Sequence, residues 1–259
     1  MMTGAPRRGP VEPAHFRALQ KAGLKLEEKG LVCGTDGNLS LRDLEGGLVI
    51  TASGAHKGDL KAEDLIRIDL EGRILWGSQK PSSESAMHRV IYQKRSDVQA
   101  VVHAHPPVGT AFAVAGCCLQ TAAMPESIVM LGEVPYVRYA TPGTEDLSRA
   151  LEAVLPGHNA FLLAHHGAVT LGETLQQALD RMSLLEHTAR ILLAARLLGG
   201  AKPLPSQEVQ KLTCGQPMGP LSDRQENQKG QERPALAPTD ELVRVVAAAV
   251  LRHLKEEDS

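Results

Sequence analysis

The run Val-Val-His-Ala-His-Pro-Pro at residues 101–107 constrains this chain more than any other segment. Val98 and Ala100 lead into it, and the apolar stretch reads as a buried strand over residues 98–105. In an extended strand residues i and i+2 face the same side, so His103 and His105 offer two imidazoles to one point. A third imidazole with a carboxylate nearby would make a divalent-ion site with an exchangeable position. His166, in Leu-Leu-Ala-His-His-Gly, and Glu84, in Pro-Ser-Ser-Glu, are the candidates. A His-x-His pair by itself is also what a solvated strand can carry; its order with Ser-Ser-Glu and His-His-Gly gives it weight.

Around this strand, hairpin and helix patterns mix with little βαβ alternation. Residues 15–29 read as a helix on Phe16, Leu19, Leu24 and Leu26, ended by Gly30. Residues 39–42 and 48–51 flank Asp-Leu-Glu-Gly-Gly, and residues 65–70 and 73–76 flank Glu-Gly, which predicts two hairpins. A helix begins near Ser82, with Met87, Val90 and Ile91 on one stripe. Further helices are expected near 107–115, over 145–154 and over 174–198, and further strands over 133–139, 159–165 and 169–171. The fold class is therefore α/β, with a largely antiparallel central sheet covered by helices, in one domain over residues 13–200.

Composition narrows the functional classes. The chain has 259 residues and a formal net charge of -2, which offers no electrostatic case for nucleic acid or an anionic membrane. Aromatic residues make up 3%, too few for base-stacking platforms. Cys33, Cys117, Cys118 and Cys214 form no Cys-x-x-Cys pair, so a reducing compartment without structural disulfides is expected. The first residues form a floppy lead into no apolar targeting segment, and no run approaches a membrane span of ~20 residues. The expectation is a soluble, cytoplasmic protein.

Composition changes after Gly199-Gly200. Residues 201–238 are rich in Pro, Gln, Gly, Ser and charge, which reads as a flexible linker. Residues 239–256 then read as an amphipathic helix capped by Thr239, with Leu242, Val245, Val246, Ala249, Val250 and Leu254 as its apolar stripe.

Five short motifs in order resemble the class II aldolase/adducin family over about residues 13–200: Gly37-Asn38-Leu39-Ser40, Thr51-Ala52-Ser53-Gly54, Pro81-Ser82-Ser83-Glu84, His103-Ala104-His105 and His165-His166-Gly167. The resemblance implies an αβα fold with helices on both sheet faces, and zinc or another divalent transition metal held by His103, His105 and His166. It implies Glu84 as catalytic acid/base and fourth ligand, and a phosphate pocket at Gly37, Asn38, Ser53, Gly54, Ser82 and Ser83. His166 is preferred to His165 because it precedes the glycine and because neighbouring strand residues face opposite ways. Out of that context Gly37-Asn38 and Ser53-Gly54 are plain turns, Ser82 an N-cap and Glu84 a first-turn carboxylate. The other histidines, His88 among them, are left as structural or exposed.

The implied reaction is cleavage of a phosphorylated deoxyketose of the L-fuculose 1-phosphate type to dihydroxyacetone phosphate and lactaldehyde. The same residues would also serve an epimerase, dehydratase or decarboxylase of a sugar phosphate or sugar acid, and a non-catalytic adducin-like scaffold is the remaining reading. Family members are homotetramers with active sites at subunit boundaries, and aldolases among them use two tyrosines as proton donors. Here Met124 stands at the first tyrosine position, and the three tyrosines are Tyr92, Tyr136 and Tyr139. Glu126 is therefore the candidate general acid. The tail resembles the peptides that target enzymes into bacterial microcompartments, which would make shell proteins partners of residues 239–256; packing on its own oligomer is the alternative.

Overall fold

The computed structural model describes residues 9–43 and 46–213. Helix α1 (Pro13–Glu28) starts on a proline, whose missing N–H costs nothing in a first turn, and buries Leu19, Ala22, Gly23 and Leu26 along one stripe. Two hairpins follow: β1 (Asn38–Arg42) with β2 (Gly47–Thr51), then β3 (Leu65–Asp69) with β4 (Ile74–Trp76). The chain continues through α2 (Ser85–Lys94), β5 (Ala100–Ala104), α3 (Pro107–Val114), α4 (Pro125–Met130), β6 (Tyr136–Val137) and α5 (Glu145–Glu152). It then forms β7 (Ala160–Leu163), β8 (Gly167–Gly172), α6 (Leu175–Leu197) and α7 (Ser206–Thr213).

The strands make one eight-stranded sheet in the order β4-β3-β2-β1-β5-β8-β7-β6. Every neighbouring pair is antiparallel except β6 with β7. Alternation along the strands feeds two separate cores. Leu39, Leu41, Ala100, Val102 and Ala104 pack under α1, α3 and α6 on one face. Leu48, Ile50, Val101, Phe161 and Leu163 pack under α2 and α5 on the other. His103 shares the face of Val101, so strand parity turns it towards α2. Among the described residues no helix is long and apolar enough to cross a membrane, and Cys33, Cys117 and Cys118 are free thiols.

Several boundaries differ from the expected ones. Helix α2 starts at Ser85 with Glu84 as its N-cap, because Ser82 and Ser83 form the preceding turn: Ser82 Oγ accepts from the Glu84 N–H at 3.3 Å. The strand expected over 133–139 shortens to two residues at the sheet edge, just after Pro135, which has no ladder N–H to give. His165 and His166 lie in the turn between β7 and β8, not on a strand, and His165 has φ +53°. The strand-alternation argument for preferring His166 does not apply, because a turn separates the two rings. Helix α4 was not expected, being six residues long. Nor was α7, which falls in the expected linker. A Leu204 N–H bond to Ala122 O at 2.9 Å ties the chain down just before α7, and Pro205 O accepts from the Glu208 and Val209 N–H groups. The remaining linker residues, 214–238, and the amphipathic segment 239–256 lie outside the described residues.

Candidate metal centre and active site

Two segments deliver the three histidines to one point. His103 is the penultimate residue of β5, His105 is the first residue beyond the strand, and His166 sits in the β7–β8 turn. One nitrogen from each lies within 4.8 Å of the others, and the ring centroids are 4.7–5.1 Å apart. Gly167 makes this approach possible, since a Cβ there would lie 2.6 Å from both Ala104 O and the His105 ring.

The outer nitrogens fix which atoms face inward. His103 Nδ1 is 2.9 Å from Ala168 O, an atom that can only accept, so Nδ1 carries the proton. His105 Nδ1 is 3.3 Å from Asp36 Oδ2, which fixes the same tautomer. The two Nε2 atoms therefore face each other, at 3.2 Å, as lone pairs when the rings are neutral. A proton on one of the two nitrogens, or a cation beside them, relieves that repulsion. Glu84 closes on the same point: Oε2 is 3.1 Å from His103 Nε2, and Oε1 is 3.3 Å from His166 Nε2. Glu84 Oε1 is buried and, apart from this contact with His166, makes no hydrogen bond among the described residues. Three imidazoles and one carboxylate form a donor set that fits a divalent ion.

Electrostatics agree with this arrangement. Burial pushes the Glu84 carboxyl up, but the His103 and His166 imidazoles and the Asn38 amide outweigh it and hold Glu84 well below the usual carboxylate range. His166 falls to about 4, through burial and then the neighbouring His103. His103 rises despite its burial, because Glu84 stands against it.

Behind Glu84 runs a buried chain of polar groups. Asn38 Nδ2 donates to Glu84 Oε2 at 2.8 Å, so Asn38 Oδ1 accepts from His88 Nε2 at 2.5 Å. His88 Nδ1 then accepts from Ser40 Oγ at 2.6 Å, and Ser40 Oγ accepts from the Tyr92 hydroxyl at 2.8 Å. Each bond fixes the direction of the next. Burial first, and then His103, lower the His88 pKa to about 3, so this ring stays neutral.

The expected phosphate residues gather at the same end of the sheet. Thr51 joins their segments: its Oγ1 accepts from the Leu39 N–H at 3.3 Å, and its carbonyl accepts from the Ser82 N–H at 3.1 Å. Gly37 has φ +68°, and a Cβ there would lie 2.6 Å from His103 O, so only glycine fits. Gly54 also has positive φ, and Ser53 and Ser83 are exposed. Asn38 is different: its side chain is spent on Glu84 and His88, leaving only its backbone for any anion. With Ser85 N–H bonded to Ser82 O and Met87 N–H to Glu84 O, the start of α2 offers fewer free donors than a helix opening at Ser82 would. Glu126 lies exposed in the first turn of α4. Among the described residues no hydrogen bond or ion pair links it to the histidines.

Sequence reasoning missed Asp36, Ser40, His88, Tyr92 and Lys57. Glu84, His88 and Tyr92 repeat at the four-residue spacing of one helix face, and Asn38 and Ser40 at the two-residue spacing of one strand face, so that signal was present. Lys57 is 1% exposed, and its Nζ donates to Thr35 O at 2.7 Å and Ala55 O at 2.6 Å. It ties the Gly37 loop to the Ser53-Gly54 loop, and burial lowers its pKa to about 8 against the pull of Asp36 and Asp64.

Known proteins resemble this chain. The model of the Class II Aldolase and Adducin N-terminal domain matches residues 17–193, and the chain belongs to that family, on its lyase side. A 5-methylthioribulose-1-phosphate/5-deoxyribulose-1-phosphate aldolase of Rhodospirillum rubrum is 39% identical over 186 residues, 71% of this chain and 82% of that protein. A 3-oxo-tetronate 4-phosphate decarboxylase of Pectobacterium atrosepticum is 36% identical over 186 residues, 70% of this chain and 84% of the relative. The solved structure of an L-fuculose 1-phosphate aldolase superposes with a TM-score of 0.74 at 32% identity, covering 78% of this chain and 96% of that one.

Proposed function

We propose that this enzyme cleaves a deoxyketose 1-phosphate between C3 and C4, releasing dihydroxyacetone phosphate and a short aldehyde. The observation that carries the reading is the buried Glu84 carboxylate set against three converging imidazoles. His103, His105 and His166 would hold the ion, with zinc the preferred identity and Glu84 able to join them. Bound there, a divalent ion supplies Lewis-acid stabilisation of the negative charge that cleavage leaves on the ketone fragment.

The chain's own residues do the rest. Gly37, Ser53, Gly54, Ser82 and Ser83 receive the phosphate through backbone N–H groups and hydroxyls, and Lys57 holds two of their loops together. Cleavage removes the C4 hydroxyl proton as the C3–C4 bond breaks, and C3 must then gain a proton. Glu84, anionic and held from behind by Asn38, moves the proton at C3, a role typically worth about 10²–10⁴ in rate. Glu126 is assigned to the hydroxyl proton on the site of a neighbouring copy, taking it up in cleavage and returning it as general acid in the reverse condensation.

A five-carbon 5-deoxyketose would yield a two-carbon aldehyde, and a six-carbon deoxyketose would yield lactaldehyde. The R. rubrum relative favours the first substrate and the superposed structure the second. The decarboxylase relative supports a second reading, loss of carbon dioxide from a phosphorylated keto acid through the same charge-stabilised fragment. Presenting 5-deoxyribulose 1-phosphate, L-fuculose 1-phosphate and 3-oxo-tetronate 4-phosphate separately decides among them. Dihydroxyacetone phosphate from either of the first two is the expected result; carbon dioxide from the third alone would replace the aldolase reading.

A further inference from the structure

We infer that Asp36 is the positioning residue of His105, the outer carboxylate of a carboxylate–histidine–ion triad that sets how tightly this site holds its metal. The inference rests on the reading of His103, His105 and His166 as ion ligands. The three rings are backed unequally. His103 Nδ1 meets a neutral carbonyl, Ala168 O, at 2.9 Å. His166 Nδ1 is buried without a partner among the described residues. His105 Nδ1 faces a full negative charge, Asp36 Oδ2, at 3.3 Å. A carboxylate behind an imidazole fixes the tautomer and ring orientation and makes the inward nitrogen a stronger donor.

Asp36 is built to face that ring. Its Oδ1 accepts from the Cys33 N–H at 2.7 Å, while its own N–H donates to Cys33 O at 3.2 Å, closing a tight turn. The His105 N–H donates to Leu31 O at 3.1 Å, so the ligand's backbone is tied to the same loop. One carboxylate oxygen thus holds the loop, and the other is left for the imidazole. Charge points the same way: Glu84 and Asp36 supply two negative charges, which offset the two positive charges of a divalent ion in a half-closed site.

The two oxygens allow the structural and positioning roles to be separated. Asp36→Asn keeps an oxygen for the Cys33 N–H but turns an NH2 group towards His105 Nδ1. Two donors then oppose each other, and the ring relaxes by moving its proton to Nε2, which removes the lone pair meant for the ion. Asp36→Ala removes both contacts. The test is a zinc titration of the full chain against a chromophoric chelator, with long-range 1H–15N spectra of the histidine rings read alongside.

Asp36→Asn is expected to bind zinc about 10- to 100-fold more weakly than wild type, to melt at the wild-type temperature, and to lose the Nδ1–H form of His105. Asp36→Ala should weaken zinc as well. Equal zinc affinity in wild type and Asp36→Asn would overturn the inference and leave Asp36 as a turn residue, whatever Asp36→Ala does. A wild-type chain that takes up no zinc would instead overturn the metal reading on which the inference rests.

Discussion

Two buried carboxylates sit in different regions of this molecule. Glu186 lies on α6, 3% exposed, under the start of α3; Glu84 lies at the head of α2, 7% exposed, beside the three histidines. Glu186 is spent: it accepts from the Val108 N–H at 3.0 Å, the Gly109 N–H at 2.9 Å and Arg190 Nε at 2.7 Å. Its charge neutralises the positive end of α3 and satisfies N–H groups that no helical carbonyl can reach. Glu84 accepts one hydrogen bond from a neutral group, Asn38, and turns its oxygens to His103 and His166 Nε2, with Oε1 in no hydrogen bond among the described residues. A buried charge with every acceptor position filled stabilises a fold. One kept partly unsatisfied, inside a cluster of imidazoles, is available for chemistry.

The largest expected effect tests that contrast on the active-site side. Glu84→Gln should lower turnover about 10²–10⁴-fold while the melting temperature and secondary structure stay close to wild type. Turnover within tenfold of wild type would make Glu84 a second Glu186. Glu186→Ala should do the reverse, lowering unfolding free energy by about 1–3 kcal/mol through the orphaned N–H groups of α3. Chemical denaturation of the metal-loaded protein measures it, and an unchanged midpoint would mean the capping bonds contribute nothing.

The support behind Glu84 gives a pH-dependent prediction. His88 has its pKa lowered from 6.5 to about 3 by burial and then by His103. Between those values the unfolded chain binds a proton that the folded chain refuses, so stability falls as pH drops through this window and is fully present above it. Glutamine can donate to Asn38 and accept from Ser40 without titrating. The stability difference between wild type and His88→Gln should therefore shift in favour of the variant as pH falls from about 6.5 towards 3. A constant difference would mean that His88 titrates normally. The smallest effect is expected at Glu126, which sits outside the cluster in its own chain. Glu126→Gln should slow turnover with metal content intact, and unchanged turnover would remove it from the mechanism.

The sequence made the three-histidine cluster legible because its members stand next to rigid signals: an apolar strand for His103, and a glycine that must lie against His105 for His166. The antiparallel sheet followed from two hairpins whose turns were plain, and the αβα layering from the family resemblance. The supporting residues were harder, since Ser40, His88 and Tyr92 acquire their roles only when β1 is laid against α2. Asp36 had no periodic signal at all; its meaning comes from a turn that points one carboxylate oxygen across to β5's end. Helices α4 and α7 escaped because six- and eight-residue segments are held by packing and single tethering bonds, which a hydrophobic period does not encode.

The most direct test of the central claim is the ion content of the purified chain, read together with its turnover of a deoxyketose 1-phosphate before chelation, after it, and after the ion is restored. One divalent ion per chain is predicted, with turnover lost on its removal and recovered on its return. Sustained release of dihydroxyacetone phosphate from the ion-free protein would contradict the account.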